Sequence, residues 1–319
     1  MTDRMKQMKT ENIRSVFSSV LSEGEASRAA VSDSVELSLV SVGKIADLLI
    51  SAGVFTEEKH SSPGAGRRAG SLRLNPEKYS VVFDLTNGRK ISYCRIDGST
   101  IKTVSDDRDD LTDIFADAAM TVLQVYGHEN CFGIGLISDS EKERGQALSL
   151  LRDFFPDYEV CSASSVTASF FSHICRDGSV GKSLYISING KSIYASVSVD
   201  GNIISVCDCG LLLHENGKTL NGILSERSLS DCIGLIAADI VNSVRLLIPE
   251  RVYISLNNCE NKIEVKNGLI TVIDSFLSVS SDTNPAIIFT EDRDNASHGI
   301  TDMLREKWFA SLADKKQGE

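Results

Sequence analysis

The feature that most constrains the fold of this chain is a strand hairpin that occurs twice, about a hundred residues apart. YSVVFDLTNGRKISYCRIDGSTI (79–101) and LYISINGKSIYASVSVDGNII (184–204) repeat the same turn residues in the same order. Asn87-Gly88 falls against Asn189-Gly190, Ile91 against Ile193, and Asp97-Gly98 against Asp200-Gly201 with one residue inserted. Each copy runs on into further elements. After the first, Asp110 to Tyr126 has helical periodicity, FGIGLIS is a short apolar strand, and EKERGQALSLLRDFF is a helix ending before Pro156. After the second, Leu229 to Leu247 is a long helix stopped by Pro249 and followed by the strand RVYISL. Two repeated units, each a hairpin sheet packed against helices, predict an α/β body of two lobes with a cleft between them.

Ahead of that body, Ser27 to Phe55 (SRAAVSDSVELSLVSVGKIADLLISAGVF) has the spacing of a helix-turn-helix. The first helix carries Ala30 and Val31, with Leu37 after the turn; the second carries Val42, Ile45, Leu48 and Leu49 at three- and four-residue steps, a single buried stripe. Ser38 stands at the N-cap, where its oxygen satisfies a free amide of the first turn, and Ala52-Gly53 ends the helix. Outward positions Leu39, Ser41, Gly43 and Lys44 are small or basic, as a helix in a major groove requires. Glu11 to Leu21 supplies a preceding amphipathic helix. Val54-Phe55 and Ser71 to Leu74 read as the strands of a wing, joined by EEKHSSPGAGRRAG, whose Lys59, Arg67 and Arg68 suit phosphates or a narrow minor groove. The plainer alternative is a small helical domain followed by a solvated linker.

A net charge of −11 is distributed unevenly: the first 80 residues are near neutral and the rest of the chain is acidic. An acidic body with a locally basic head fits a regulator whose nucleic-acid contact is confined to one module, with weak non-specific affinity. No segment has the continuous apolar length of a membrane span, and MTDRMKQMKTENIR is neither a signal peptide nor an anchor, so a cytoplasmic protein is expected. The eight cysteines are scattered through apparent strands and helices, and reduced, mostly buried thiols are expected.

The runs SRAAVSDSVELSLVSVGKIADLLISAGVF, GRRAGSLRLNP and YSVVFDLTNGRKISYCRIDG resemble the amino-terminal region of ROK-family (repressor, open reading frame, kinase) transcriptional repressors, and LLIPERVYI resembles the segment after that family's long dimer helix. The resemblance implies an N-terminal winged helix-turn-helix on 1–78 and an actin/hexokinase-like (RNase H-like) sugar-kinase-fold body on 79–319, in two lobes of about 79–180 and 181–319. It implies double-stranded DNA as partner, with Arg28 and Lys44 on phosphate or guanine, Ser38 and Ser41 on backbone or bases, and Arg67 with Arg68 in the wing contact. A homodimer or higher homo-oligomer, with the Leu229 to Leu247 helix taking part, implies an inverted-repeat operator.

Departures from the family pattern bear on mechanism. Asp84-Leu85-Thr86-Asn87-Gly88 keeps the acid but lacks the glycine before the threonine, and Ile188-Asn189-Gly190-Lys191 stands where glycines would hold phosphate. The family's Asn-Asp general-base pair falls near Ser164-Ser165, and a serine hydroxyl cannot take a sugar proton without a base beside it. The expectation is therefore a catalytically inactive body with no catalytic residue and no cofactor; the alternative is a sugar kinase or sugar-binding enzyme with an appended helical domain. Cys209-Gly210-Leu211-Leu212-Leu213-His214 retains part of the family's zinc element, but Cys207, Cys209 and His214 give three candidate ligands where a structural site takes four, so no metal is expected. Asp84 and His214 are the polar positions carried forward for a small-molecule effector, which need not be a sugar.

Overall fold

The computed structural model describes residues 3–58, 70–86, 88–178, 181–190, 192–206, 217–278, 284–290 and 295–314. Helix α1 (Asp3–Glu23) extends well before the expected Glu11. It is followed by β1 (Glu25–Ser27), α2 (Arg28–Val35), α3 (Leu39–Ser51), β2 (Phe55–Glu58) and β3 (Ser71–Leu74). The three strands form one antiparallel sheet in the order β1-β3-β2, with Leu72 between Ala26 and Glu57. Strand β1 is too short to show alternation, so the sequence pattern does not reveal it. Ile13, Val16, Phe17 and Val20 of α1 are buried together with Val31, Val42, Ala46, Leu49, Phe55 and Leu72. Each of these side chains larger than alanine contributes roughly 1.5–3 kcal/mol on burial.

The body opens with β4 (Tyr79–Asp84), β5 (Arg89–Arg95) and β6 (Thr100–Asp106), then α4 (Leu111–Thr121), β7 (Cys131–Ile137), α5 (Glu141–Phe154) and β8 (Val160–Ala163). Asp110 caps α4 through the Thr112 amide, and the expected continuation to Tyr126 is a turn of π-helix, Val122–Tyr126. Helix α6 (Ser165–Asp177) precedes β9 (Lys182–Asn189), β10 (Ser192–Val199) and β11 (Asn202–Val206). A short α7 (Leu220–Leu224), α8 (Ile233–Leu247), β12 (Arg251–Asn257), α9 (Lys262–Leu277), β13 (Ala286–Thr290) and α10 (Asn295–Asp314) follow. Helix α8 starts four residues later than expected because Ser230–Cys232 forms a 3-10 turn before it.

The duplication holds at the level of topology. One sheet runs β6-β5-β4-β7-β8 and the other β11-β10-β9-β12-β13, each with two antiparallel pairings followed by two parallel ones. The residue register differs from the sequence match. Phe83 pairs with Ile91 and Ile188 with Ile193, so Tyr79, Val81 and Phe83 stand where Leu184, Ile186 and Ile188 stand. Each set faces a hydrophobic core on the same side of its sheet's topology. Seven residues separate Phe83 from Ile91 and four separate Ile188 from Ile193, so the first hairpin loop is three residues longer and the two Asn-Gly pairs are not equivalent. The Asp200-Gly201 turn, by contrast, has both residues at positive φ, 50° and 78°, as a two-residue hairpin requires.

Packing divides the chain into two units, residues 1–164 with 297–319, and residues 165–296. The lobe limits of about 79–180 and 181–319 therefore do not follow the packing: α6, after the first sheet in sequence, packs on the second sheet, and α10, after the second, packs on the first. A helix's amphipathic face does not say which of two similar sheets it will cover. In the second unit Phe170 of α6 stacks on Tyr185 at 5.5 Å and His173 on Tyr253 at 5.1 Å. In the first, Thr301 of α10 shares a 3.0 Å hydrogen bond with Ser80, and Ile300 and Leu304 lie over Gly135 and Gly133 of β7. A Cβ at Gly135 would stand 3.0 Å from Ile300, and one at Gly133 2.9 Å from Leu304, so glycine lets the helix seat closely. The opposite side of α10 meets α1: Phe309 packs edge-on to Phe17 at 5.2 Å, the Arg305 guanidinium lies 4.8 Å from the Phe17 ring centre, and Arg14 Nε donates to Glu306 at 2.9 Å. Arg305 is itself held by buried Asp302 at 2.7 Å and donates to the Ile96 carbonyl at 2.9 Å.

Candidate nucleic-acid interface

Two capped helices and a tight turn shape the surface formed by α2 and α3. The Ser27 oxygen accepts from the Ala30 amide at 3.1 Å, and Glu36 ends α2 in the left-handed conformation. The Ser32 hydroxyl then donates to the Leu37 carbonyl at 2.6 Å, holding the turn against α2. Ser38 caps α3 as its sequence position predicts, accepting from the Ser41 amide at 3.1 Å, while the Ser38 and Ser41 hydroxyls share a hydrogen bond at 2.9 Å. Both serines are thus engaged with each other at the first turn. At the far end Gly53 takes φ +72°, and Asn75 clasps it, its side-chain amide donating to the Gly53 carbonyl at 2.9 Å.

The buried side of α3 is Val42, Ala46 and Leu49, with Ile45 and Leu48 half-buried at the margins of the expected stripe. Lys44 is exposed and points away from that core. Leu39 and Val40, the first two residues of α3, are 55% and 69% exposed. Leu39 is apolar rather than small or basic, and Val40 is an exposed apolar position that the sequence pattern did not single out. Its signal was an apolar residue lying outside the three- and four-residue stripe.

Arg28 is engaged within the head. Its Nε donates to Glu57 at 2.9 Å and its Nη2 to Asp47 at 2.7 Å, so the guanidinium ties α2 to β2 and α3. Its charge is thereby largely answered within the protein. Arg73 is likewise shared between Glu25 and Glu58 on the sheet. Lys59, Arg67 and Arg68 lie outside the described residues.

In the body, Asp84 closes an Asx turn, accepting from the Thr86 amide at 2.9 Å and the Thr86 hydroxyl at 2.6 Å. It is the last residue of β4, paired with Lys90, where the longer of the two hairpin loops begins. Ser164 and Ser165 lie at the start of α6. Cys207, Cys209 and His214 lie outside the described residues, and no group of three or more potential metal ligands occurs among the described ones. Cys131, Cys161 and Cys232 are buried thiols, and burial pushes the Cys131 thiol up to about 12. No helix among the described residues is long and apolar enough to cross a membrane.

No protein-family model matches the chain, and no curated protein does. Solved structures do. A ROK-family transcriptional regulator, a homologue of the Escherichia coli MLC protein, superposes with a TM-score of 0.67 at 16% identity, covering 96% of this chain and 98% of its own. A ROK-family protein from Streptococcus pneumoniae TIGR4 in complex with sucrose gives 0.56 at 12% identity, covering 72% of this chain and 99% of its own. The ROK hexokinase from Thermus thermophilus gives 0.53 at 13% identity, over 74% and 97%. The chain has the mixed α/β fold of ROK proteins.

Proposed function

We propose that this chain is a ROK-type transcriptional regulator, acting as a repressor, with a winged helix-turn-helix on residues 1–78 and an effector and dimerisation body on 79–319. One observation carries the reading: a regulator of this fold matches the chain end to end, whereas the sugar-bound protein and the hexokinase leave about a quarter of it uncovered. The α2-turn-α3 arrangement supports it, because α3 presents Lys44, Leu39 and Val40 outward from a capped, buried base. Lys44 is assigned to base or phosphate, Leu39 and Val40 to apolar contact in the major groove, and Ser38 and Ser41 to the backbone at the helix start. Arg67 and Arg68 keep the wing contact. Arg28 is assigned to holding α2 against α3 and β2 rather than to DNA.

The body is read as catalytically inactive, since serines stand where the family's base pair belongs and the Asp84 carboxylate is turned onto Thr86. A dimer through α8 would present two copies of α3 to an inverted-repeat operator. A cytoplasmic location belongs to the same reading. Binding selection from random duplexes, followed by anisotropy titration of the enriched sequence at two salt concentrations, tests it. Lys44→Ala should weaken specific binding by about 1–3 kcal/mol, and Arg67→Ala or Arg68→Ala should lower affinity and flatten the salt dependence. No enriched sequence, or three variants that bind like the parent, overturns the assignment. A coupled ADP assay with hexoses should stay at background, and phosphoryl transfer would restore the kinase alternative.

A further inference from the structure

Within the first unit a cavity of about 530 Å³ opens beside the π-turn that follows α4. Turns of this kind occur often at functional sites, and the volume lies in the range of small-molecule pockets. Aromatic rings form part of its wall: Trp308 of α10 stacks on Phe132 of β7 at 5.4 Å, and Phe155 meets Tyr158 edge to face at 5.9 Å. Leu123, also in the lining, is 60% exposed although it is large and apolar. Carboxylates stand at the exposed rim. Glu129 is held by His128 at 3.1 Å and Glu159 by Lys307 at 3.3 Å, while Asp157 makes no ion pair among the described residues. The lining ammonium, Lys78, is buried; it donates to the Glu129 carbonyl at 2.8 Å and lies 5.3 Å from the Trp308 ring centre. Nothing in the lining is a ready nucleophile, since burial keeps the Cys131 thiol protonated.

We propose that this cavity is a binding site for a small aromatic amine, its ring among Trp308, Phe132 and Tyr158 and its ammonium at the rim beside Asp157. Aromatic walls stabilise a flat apolar body, and a rim with more carboxylates than free cations selects a positive head group. The site is wired to the head. Lys78 ends the connection from β3 to β4, and Asn75 in that connection donates its backbone amide to the Val54 carbonyl at 2.8 Å and its side-chain amide to Gly53, at the end of α3. Trp308 adjoins Phe309, which packs on Phe17 of α1. Occupancy therefore acts on both elements that hold the head, an effector role that rests on reading the head as the DNA-binding module.

Trp308 is the single tryptophan of the sequence, so selectively excited tryptophan emission reports on this cavity alone. Titration of the full chain with 2-phenylethylamine, 2-phenylethanol and phenylacetate should give a saturable change, with the amine binding tightest and phenylacetate weakest. Asp157→Asn should weaken the amine about two- to fivefold and leave the alcohol unchanged, as loss of a solvent-exposed ion pair does. Ala119→Phe, filling the space, should abolish the response while the circular dichroism spectrum and melting temperature show an intact fold. No saturable change with any probe up to 10 mM (roughly the weak limit for ligands this small) overturns the site, and equal affinities for amine and acid overturn the ligand class. Saturable binding that leaves operator affinity unchanged overturns the effector role alone. The fluorescence arm needs no DNA, so it succeeds or fails independently of the function proposed above.

Discussion

The two five-stranded sheets share strand order and strand sense but differ on the face opposite Phe83 in the first and Ile188 in the second. In the second, that face carries Tyr185 and Ser187 on β9 and Tyr253 and Ser255 on β12; the equivalent positions of the first are Ser80, Val82, Gly133 and Gly135. One helix rests on rings and the other on glycine. The bulky face holds α6 through stacking, with the Tyr253 hydroxyl fastened to Asp177 at 2.6 Å. The bare face draws α10 close and leaves its far side free to grip α1 through Phe309, Arg305 and Glu306. A duplicated unit can thus keep its topology while one copy trades side-chain volume for a second partner.

The largest expected effects test that asymmetry directly. Phe170→Ala and Phe309→Ala should each cost about 3–5 kcal/mol in urea unfolding, since each removes a fully buried ring. Only Phe309→Ala should also expose the segment 3–58 to limited proteolysis. Equal cleavage of the head in both variants would break the comparison.

A smaller effect is expected on the strands beneath. Gly135→Ala should lose about 1–3 kcal/mol in thermal unfolding, because its Cβ meets Ile300 at 3.0 Å. Ser255→Ala, at the equivalent position in β12, should lose about 1 kcal/mol through its hydrogen bond with Asn257. A Gly135→Ala variant as stable as the parent would mean that α10 is not seated by the glycines.

The smallest effect lies at the edge of the first sheet. Asp106 ends β6, and hydrogen bonds from the Arg108 side chain and backbone hold its carboxyl near 2 instead of the usual 3.8. A depressed carboxyl pKa stabilises the fold above the unfolded value and loses that contribution as pH falls from about 4 to about 2. Carboxyl NMR titration should therefore give a midpoint near 2, moving back toward 3.8 in Arg108→Ala. A midpoint already near 3.8 in the parent would remove the edge clasp.

Much of this was legible in the sequence, where local chemistry decided the outcome. Ser38 as cap, Gly53 as stop and the Asp200-Gly201 turn each follow from one residue's hydrogen bonding or dihedral freedom. The strand RVYISL and the helix before Pro156 follow from composition and a breaker. What escaped was settled by partners distant in the chain. The matching Asn-Gly pairs concealed a three-residue difference in loop length, because strand register is fixed by which side chains reach the core. Nothing in the sequence pattern pairs Arg28 with Glu57 and Asp47, and nothing in the pattern of Asn295–Asp314 names the sheet that it covers. The cavity gathers Lys78, Ala119, Leu123, Asp157 and Trp308 from segments with no shared motif.

The placement of α10 also governs the order in which the protein can be completed. Every surface that α10 covers, on α1 and on the first sheet, is synthesised before Ser165, and the helix itself emerges only after the whole second sheet. At about 5–20 residues per second, roughly 7–26 s of translation separate the two. Through that interval the first unit lacks Ile300, Leu304 and Phe309, and α1 has only its own sheet and helices to lean on. A nascent chain that has not yet reached α10, or one terminated before it, therefore carries a first unit whose α1 lacks one of its packing partners.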